Sequence, residues 1–247
     1  MSRAQTGTLA ALRAKSAGAL ASGTLRPNES LDAVWEHLCA GLEALAARGG
    51  AADLPENGLT QRLVNELERR PGARPYYFLS EHMEDDSDGR SPRVDVVAMA
   101  RDGGGCVVNG IPWAGGERFL ALEAKRLPTP GTGREREYLS GGQGGVARFK
   151  LGRHAGELKT VGLIGYVQRH AFDHWLKTIN GWVDELIASS PPDLPWEDAD
   201  KLQIEETSPR LARLRSSSLR VSDRQRLSIR HLWVQLANEA VQPPALA

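Results

Sequence analysis

The sequence predicts an α/β protein in which a mixed central β-sheet is flanked by helices. Three observations predict it. The periodic segments follow the order helix, helix, three strands, helix, strand, helix, two strands, which suits a sheet sandwiched by helices better than a bundle or a barrel. Residues 161–167 form a nearly continuous apolar run, the pattern of a strand buried on both faces. Immediately after it, Phe172, Trp175, Leu176, Ile179, Trp182, Val183, Leu186 and Ile187 make the clearest amphipathic stripe in the chain.

Each element has a local cause. Leu31, Val34, Trp35, Leu38, Leu42 and Leu45 recur at helical spacing behind Pro27 and Asn28, and Gly49-Gly50 ends the segment. A second helix over 57–69 buries Leu59, Leu63, Val64 and Leu67, stops at Pro71-Gly72, and has Glu56 at its start. Strands follow at 76–79, 93–100 and 119–127. Between the first two, Glu84, Asp85, Asp86 and Asp88 with Gly89 read as a solvated loop. Between the second and third, the glycines at 103–105 and the pair Asn109-Gly110 predict a small hairpin. Residues 134–154 are Gly-rich and basic, with Val146 and Phe149 pointing to a helix that begins near Gln143. The long amphipathic helix ends at Ser189, Ser190 and two prolines, 191–200 is an acidic connector, and 211–221 with 227–236 read as a late hairpin. The expected organisation is a flexible N-terminal tail over 1–28 and a single domain over 29–247, with no internal repeat.

Composition bounds the function classes. The 247 residues carry 31 Lys plus Arg against 31 Asp plus Glu, so net charge gives no reason to bind nucleic acid and local clustering must supply one. No apolar run is long enough to cross a bilayer, so no membrane partner and a cytoplasmic location are expected. Residues 1–28 hold Arg3, Arg13, Lys15 and Arg26 and no acid, which superficially imitates an organellar transit peptide, but a flexible or weakly helical tail is the reading taken. Cys39 and Cys106 lack the spacing of a zinc or redox motif and are expected to be buried, reduced thiols.

The chemistry is concentrated in two strands. Side chains two apart share a strand face, so Glu123 and Lys125 of Leu122-Glu123-Ala124-Lys125 project together while Leu122 and Ala124 face away. Asp95 in Val94-Asp95-Val96-Val97 breaks its own apolar strand in the same way. Ionisable groups inside apolar strands are costly unless paired or bound to metal. If the strands run antiparallel, Asp95 and Glu123 converge on a hard divalent cation, for which one or two carboxylates with waters and substrate oxygens suffice. The bland alternative is a salt-bridged surface pair and an unrelated turn-capping Asp.

Asp95 followed by Glu123-x-Lys125, in a helix, three strands, helix, strand context, resembles the PD-(D/E)XK superfamily of restriction-endonuclease-like nucleases. The acid in Glu56-Asn57-Gly58-Leu59-Thr60 resembles one that many members place at the start of the preceding helix. The run Gly162-Leu163-Ile164-Gly165-Tyr166-Val167 resembles the strand after their active-site helix. The likeness spans about 55–190, with 211–236 as a C-terminal extension, and departs from the family pattern at Val94, which stands where Pro is usual. It implies an αβββαβ core and hydrolysis of a phosphodiester, with Mg²⁺ (or Mn²⁺) held by Asp95, Glu123 and Glu56. It gives Lys125 the task of orienting or deprotonating the attacking water and offsetting charge. Glu56 has an equal alternative as a favourable acid at a helix N-terminus.

The expected partner is nucleic acid, DNA before RNA, in prokaryotic restriction, repair or antiviral defence, with a targeting protein or a homo-oligomer as further possibilities. Lys125, Arg126, Arg134, Arg136, Arg148, Lys150 and Arg153 are expected beyond the active strand, and Arg210, Arg213, Arg215, Arg220, Arg224, Arg226 and Arg230 crowd the C-terminal region. Phosphate contact is an economical explanation; for the C-terminal cluster, solvated faces balancing distant acids explain it equally well. Rival functions are an inactive nucleic-acid-binding or scaffold subunit of the same fold and a toxin-like RNA-cleaving effector. Gly141-Gly142-Gln143-Gly144-Gly145 fits no phosphate-loop pattern, His170 and His174 lack the Glu of a metalloprotease helix, and His37, His82, His154 and His231 stand as structural singles.

Overall fold

The computed structural model describes residues 28–29, 31–69, 74–84, 91–102, 105–141 and 144–237; of the expected tail at 1–28 all but Asn28, which opens a short strand, lies outside them. Its helices are α1 (Leu31–Ala47), α2 (Glu56–Arg69), α3 (Gly145–Lys150) and α4 (Phe172–Ser189). Its strands are β1 (Asn28–Glu29), β2 (Tyr76–Met83), β3 (Arg93–Ala100), β4 (Cys106–Val108), β5 (Ile111–Trp113), β6 (Arg118–Leu127), β7 (Thr160–Val167), β8 (Gln203–Thr207), β9 (Leu211–Leu219) and β10 (Arg226–Gln235). Seven of them form one mixed sheet in the order β2-β3-β6-β7-β10-β9-β8, and β1, β4 and β5 form a small second sheet.

The stripes read from sequence become the packing. Val34, Leu38 and Leu42 of α1 and Leu59, Leu63 and Leu67 of α2 are fully buried. The two helices meet closely at Gly41, where a Cβ would lie 2.6 Å from a methyl of Leu67. On one face of the sheet, a Cβ at Gly162 would lie 2.6 Å from the Trp35 ring and 2.7 Å from a methyl of Leu122, so glycine there lets α1 settle onto β6 and β7. On the opposite face Gly145, the first residue of α3, abuts Leu163. Helices therefore cover both sides, and this is why β6 and β7 are buried along almost every position.

The sheet changes sense at its centre. β2 and β6 both run antiparallel to β3, whereas β6, β7 and β10 are mutually parallel neighbours. The predicted hairpin is β4–β5, turned by Asn109 at φ 49° and Gly110 at φ 76°, the left-handed pair that a tight hairpin requires. Cys39 and Cys106 are free and buried, and burial pushes the Cys39 thiol up to about 11.

Four readings are corrected. β2 runs on to Met83. β8 is a strand in the stretch between the acidic connector and the hairpin, to which the sequence pattern assigns no element, and it is exposed at every position because it is the sheet edge. Glu84 is not solvated, because its carboxylate takes both terminal nitrogens of the Arg118 guanidinium at 3.0 and 2.9 Å; Asp85, Asp86 and Asp88 lie outside the described residues, as does Gln143. Finally, the late hairpin forms as expected, β9 pairing antiparallel with β10, but it is part of the main sheet and not an appendage, because β10 pairs in parallel with β7 from Ser228↔Thr160 to Gln235↔Val167.

Candidate functional site

The β3–β6 pairing runs through Val97↔Ala121 to Val96↔Leu122 and ends there, leaving Asp95 and Glu123 as the next residues on the two strands. Val96 and Leu122 are opposite one another and share a face, so Asp95, Glu123 and Lys125 alternate to the other side of the sheet; the spacing predicts this for Glu123 and Lys125, and the antiparallel pairing adds Asp95. Beyond Leu122 the amides on this edge of β6 take carboxylate acceptors. Ala124 N–H donates to Asp95 Oδ2 at 2.7 Å, and Arg126 N–H donates to Glu56 Oε2 at 3.1 Å. Glu56, the first residue of α2, also receives the Lys125 ammonium on Oε1 at 3.0 Å, and Asp95 Oδ2 lies 4.0 Å from the same nitrogen. The structure thus brings together Asp95, Lys125 and Glu56 directly, with Glu123 on the same face of β6 as Lys125.

Glu123 is wholly buried and is satisfied from the other direction. Arg148, on α3, donates from Nη1 to Oε2 at 2.9 Å, and His154 Nδ1 lies 2.5 Å from Oε1. His154, read from sequence as a structural single, sits in the α3–β7 loop. Arg220 holds this loop through the carbonyls of Gly156 and Leu158, and Glu84 Oε1 accepts from Ala155 N–H at 3.1 Å. No local pattern around His154 announces this contact, which spans 31 residues of chain.

The three core groups titrate differently. Burial pushes the Asp95 carboxyl up to about 7, the Glu123 charge adds to this, and Lys125 and the Ala124 amide only partly offset it. For Glu123 burial pushes the same way, but the hydrogen bond and charge of His154, with Lys125 and Arg148, outweigh it and hold the pKa below the ordinary value. Burial works against the Lys125 ammonium too, yet Asp95, Glu56 and Glu123 together keep its pKa above the usual lysine range. Near neutral pH the site therefore holds an ionised Glu123, a charged Lys125 and an Asp95 balanced between its two forms. Asp95 opens onto a small polar cleft that is also lined by Asn57, Thr60, Gln61, Ser80 and Glu81.

The expected basic field is largely neutralised. Arg134 pairs with Glu137, Arg136 with Glu185, Arg213 with Glu36, Arg215 with Glu205, Arg226 with Glu197 and Arg230 with Asp32. Lys150 is fully buried, bonded to both Asp200 oxygens at 2.8 and 2.7 Å and lying 4.3 Å from the centre of the Trp196 ring, so it belongs to the core and not to a phosphate surface. Arg220 is likewise buried. His170 and His174 stack at 4.2 Å on the surface, and His231 is buried between Tyr138 and Ser216, its pKa pushed down to about 3 by burial.

Compared with protein-family models, curated proteins and solved structures, the chain matches none of them. Among the described residues no three His, Cys, Asp or Glu side chains form a ready-made metal cage, because the acids of this site are drawn to cationic side chains and backbone amides. Its donor chemistry nonetheless fits a hard divalent ion. The candidate ligands are all carboxylate oxygens, and burial and the neighbouring Glu123 charge raise the Asp95 pKa, an effect that a bound cation would oppose. No helix among the described residues is long and apolar enough to cross a membrane.

Proposed function

We propose that the chain is a metal-dependent nuclease of the PD-(D/E)XK kind, hydrolysing phosphodiester bonds, with DNA as the favoured substrate. The observation that carries this reading is the gathering of Asp95 and Glu56 around Lys125 and the Ala124 amide, with Glu123 on the same face of β6 as Lys125. The order α2, β2, β3, β6, α3, β7, with the short β4–β5 hairpin inserted before β6, supports an αβββαβ core.

In this reading Asp95, Glu123 and Glu56 hold Mg²⁺ or Mn²⁺, which when bound polarises the phosphate and acidifies water. Lys125, kept charged by its acidic neighbours, orients the attacking water and offsets charge developing on the phosphate; a proton-accepting role fits its raised pKa less well. The backbone bonds from Ala124 and Arg126 fix the Asp95 and Glu56 carboxylates before any ligand arrives.

A second reading, an inactive nucleic-acid-binding or scaffold subunit, draws support from the saturation of Glu123 by Arg148 and His154. One assay separates the two. The protein, Glu123→Ala and Lys125→Ala are incubated with DNA and RNA in Mg²⁺ or Mn²⁺. Metal-dependent cleavage lost in both variants is expected, RNA cleavage alone identifies the effector-like rival, and equal activity in all three proteins defeats the nuclease reading.

A further inference from the structure

Glu123 lies completely out of solvent, and His154, the partner of its Oε1 at 2.5 Å, comes from the loop between α3 and β7 and not from a neighbouring strand. An ionised carboxylate only accepts, so the Nδ1–H of His154 is the donor. The loop is held by remote segments. Ala155, next to the histidine, is fully buried with φ 50°, the left-handed region that a residue carrying a Cβ avoids. Such a conformation persists only where its surroundings over-determine it. Here Ala155 N–H donates to Glu84 Oε1 at 3.1 Å, and Glu84 is itself gripped by Arg118. From the turn between β9 and β10, Arg220 donates Nη1 to the Gly156 carbonyl at 2.6 Å and Nη2 to the Leu158 carbonyl. Arg220 is only 3% exposed, and Asp223 in the same turn takes Nη1 at 3.1 Å. Among the described residues, Arg220 bonds none of the proposed ion ligands.

We propose that His154 is a positioning residue for Glu123 and that Arg220 sets His154 in place, so that the β9–β10 hairpin takes part in building the ion site. The proposal rests on the nuclease reading above. A glutamate free to change rotamer loses that freedom when it ligates an ion, whereas one already held through Oε1 loses less. Holding it requires a histidine that does not move. The fork of Arg220 supplies this by bonding two carbonyls of the segment that follows His154, and the Glu84 carboxylate adds a third bond to the same backbone. The path from hairpin to site is therefore Arg220, the 155–158 backbone, His154 and Glu123.

A double-mutant cycle read on metal affinity tests this path. Mn²⁺ binding to the full chain is measured without nucleic acid, by the loss of the free-ion paramagnetic resonance signal. The same measurement is made on His154→Ala, His154→Asn, Arg220→Ala and the variant carrying both alanines, each checked for folding by circular dichroism. His154→Leu replaces the alanine variant if the cavity prevents folding, and Arg220→Lys, which keeps the charge, does so at the other position. His154→Ala is expected to weaken Mn²⁺ binding on the order of 10–100-fold, and His154→Asn, which restores an N–H donor, to recover most of that loss. Arg220→Ala is expected to weaken binding on the order of tenfold when His154 is present and to add nothing when it is absent. Lower melting temperatures with unchanged Mn²⁺ affinity would show a merely structural role and overturn the proposal, as would losses that simply add; either result leaves the nuclease reading intact. If the full chain itself binds no Mn²⁺, both readings fall together.

Discussion

The backbone amide of Ala124 donates to Oδ2 of Asp95 at 2.7 Å, so a strand amide and a carboxylate on the neighbouring strand are tied before any ligand binds. The bond fixes Asp95 without neutralising it, and burial beside Glu123 leaves its carboxyl with a pKa of about 7.

The first prediction concerns stability. An acid whose pKa is raised on folding takes up a proton as the chain folds, so the folded state loses stability as pH rises from the ordinary aspartate range through about 7. Asp95→Asn removes that penalty and keeps an acceptor for Ala124. In metal-free buffer at pH 8 the variant is expected to be more stable on the order of 1–2 kcal/mol, after allowing for solvent screening of a partly exposed group, with a clearly smaller gain at pH 5. Denaturant melts at both pH values check this; a variant less stable at pH 8 contradicts the assigned strain.

Metal binding should carry the same signature with the opposite sense. A divalent ion and a proton compete for Asp95, so Mn²⁺ affinity is expected to fall about tenfold per pH unit below about 7 and to level off above it. Calorimetric titrations at pH 6, 7 and 8 measure the slope, and a flat profile would remove Asp95 from the ligand set.

The Lys150–Asp200 pair is expected to be a structural anchor with no part in chemistry. Asp200→Ala leaves a buried ammonium against Trp196 and costs about 3–5 kcal/mol, whereas Lys150→Met combined with Asp200→Leu costs much less because no charge is stranded. Chemical denaturation of the single and double variants tests the difference. Equal losses would show that the pair is worth more than its burial penalty.

Gly162→Ala should destabilise the fold by about 1–3 kcal/mol, since its methyl group would press on both Trp35 and Leu122. A thermal melt within error of the wild type would mean that α1 is free to shift away from the sheet.

The parts legible in sequence are those whose cause is local. Glu123, Lys125 and Asp95 stand out because each interrupts an apolar strand, and the strand period alone puts the first two on one face. Glu56 is visible only as an acid at a helix start, a position that serves capping and metal binding alike, and the bond to Lys125 across 69 residues separates it from an ordinary cap. Lys150 reads as one more charge in a basic stretch because its partner Asp200 comes 50 residues later in a polar connector. The same distance effect hides the acids that neutralise the C-terminal arginines, such as Glu36 on Arg213. β8 escapes notice because an edge strand exposed on every residue has no apolar alternation to read.

The parallel seam between β7 and β10 sets where this chain can be cut. A fragment trimmed to about 55–190 would keep every proposed ligand, yet it would strip β10 from β7 and open a row of unpaired amides and carbonyls along a strand whose side chains are nearly all apolar and buried. Such an edge recruits other chains. It would also release Arg220 from the loop that presents His154 to Glu123. The last forty-odd described residues are therefore half of the molecule's central seam, and a shortened version should precipitate before its chemistry could be assayed.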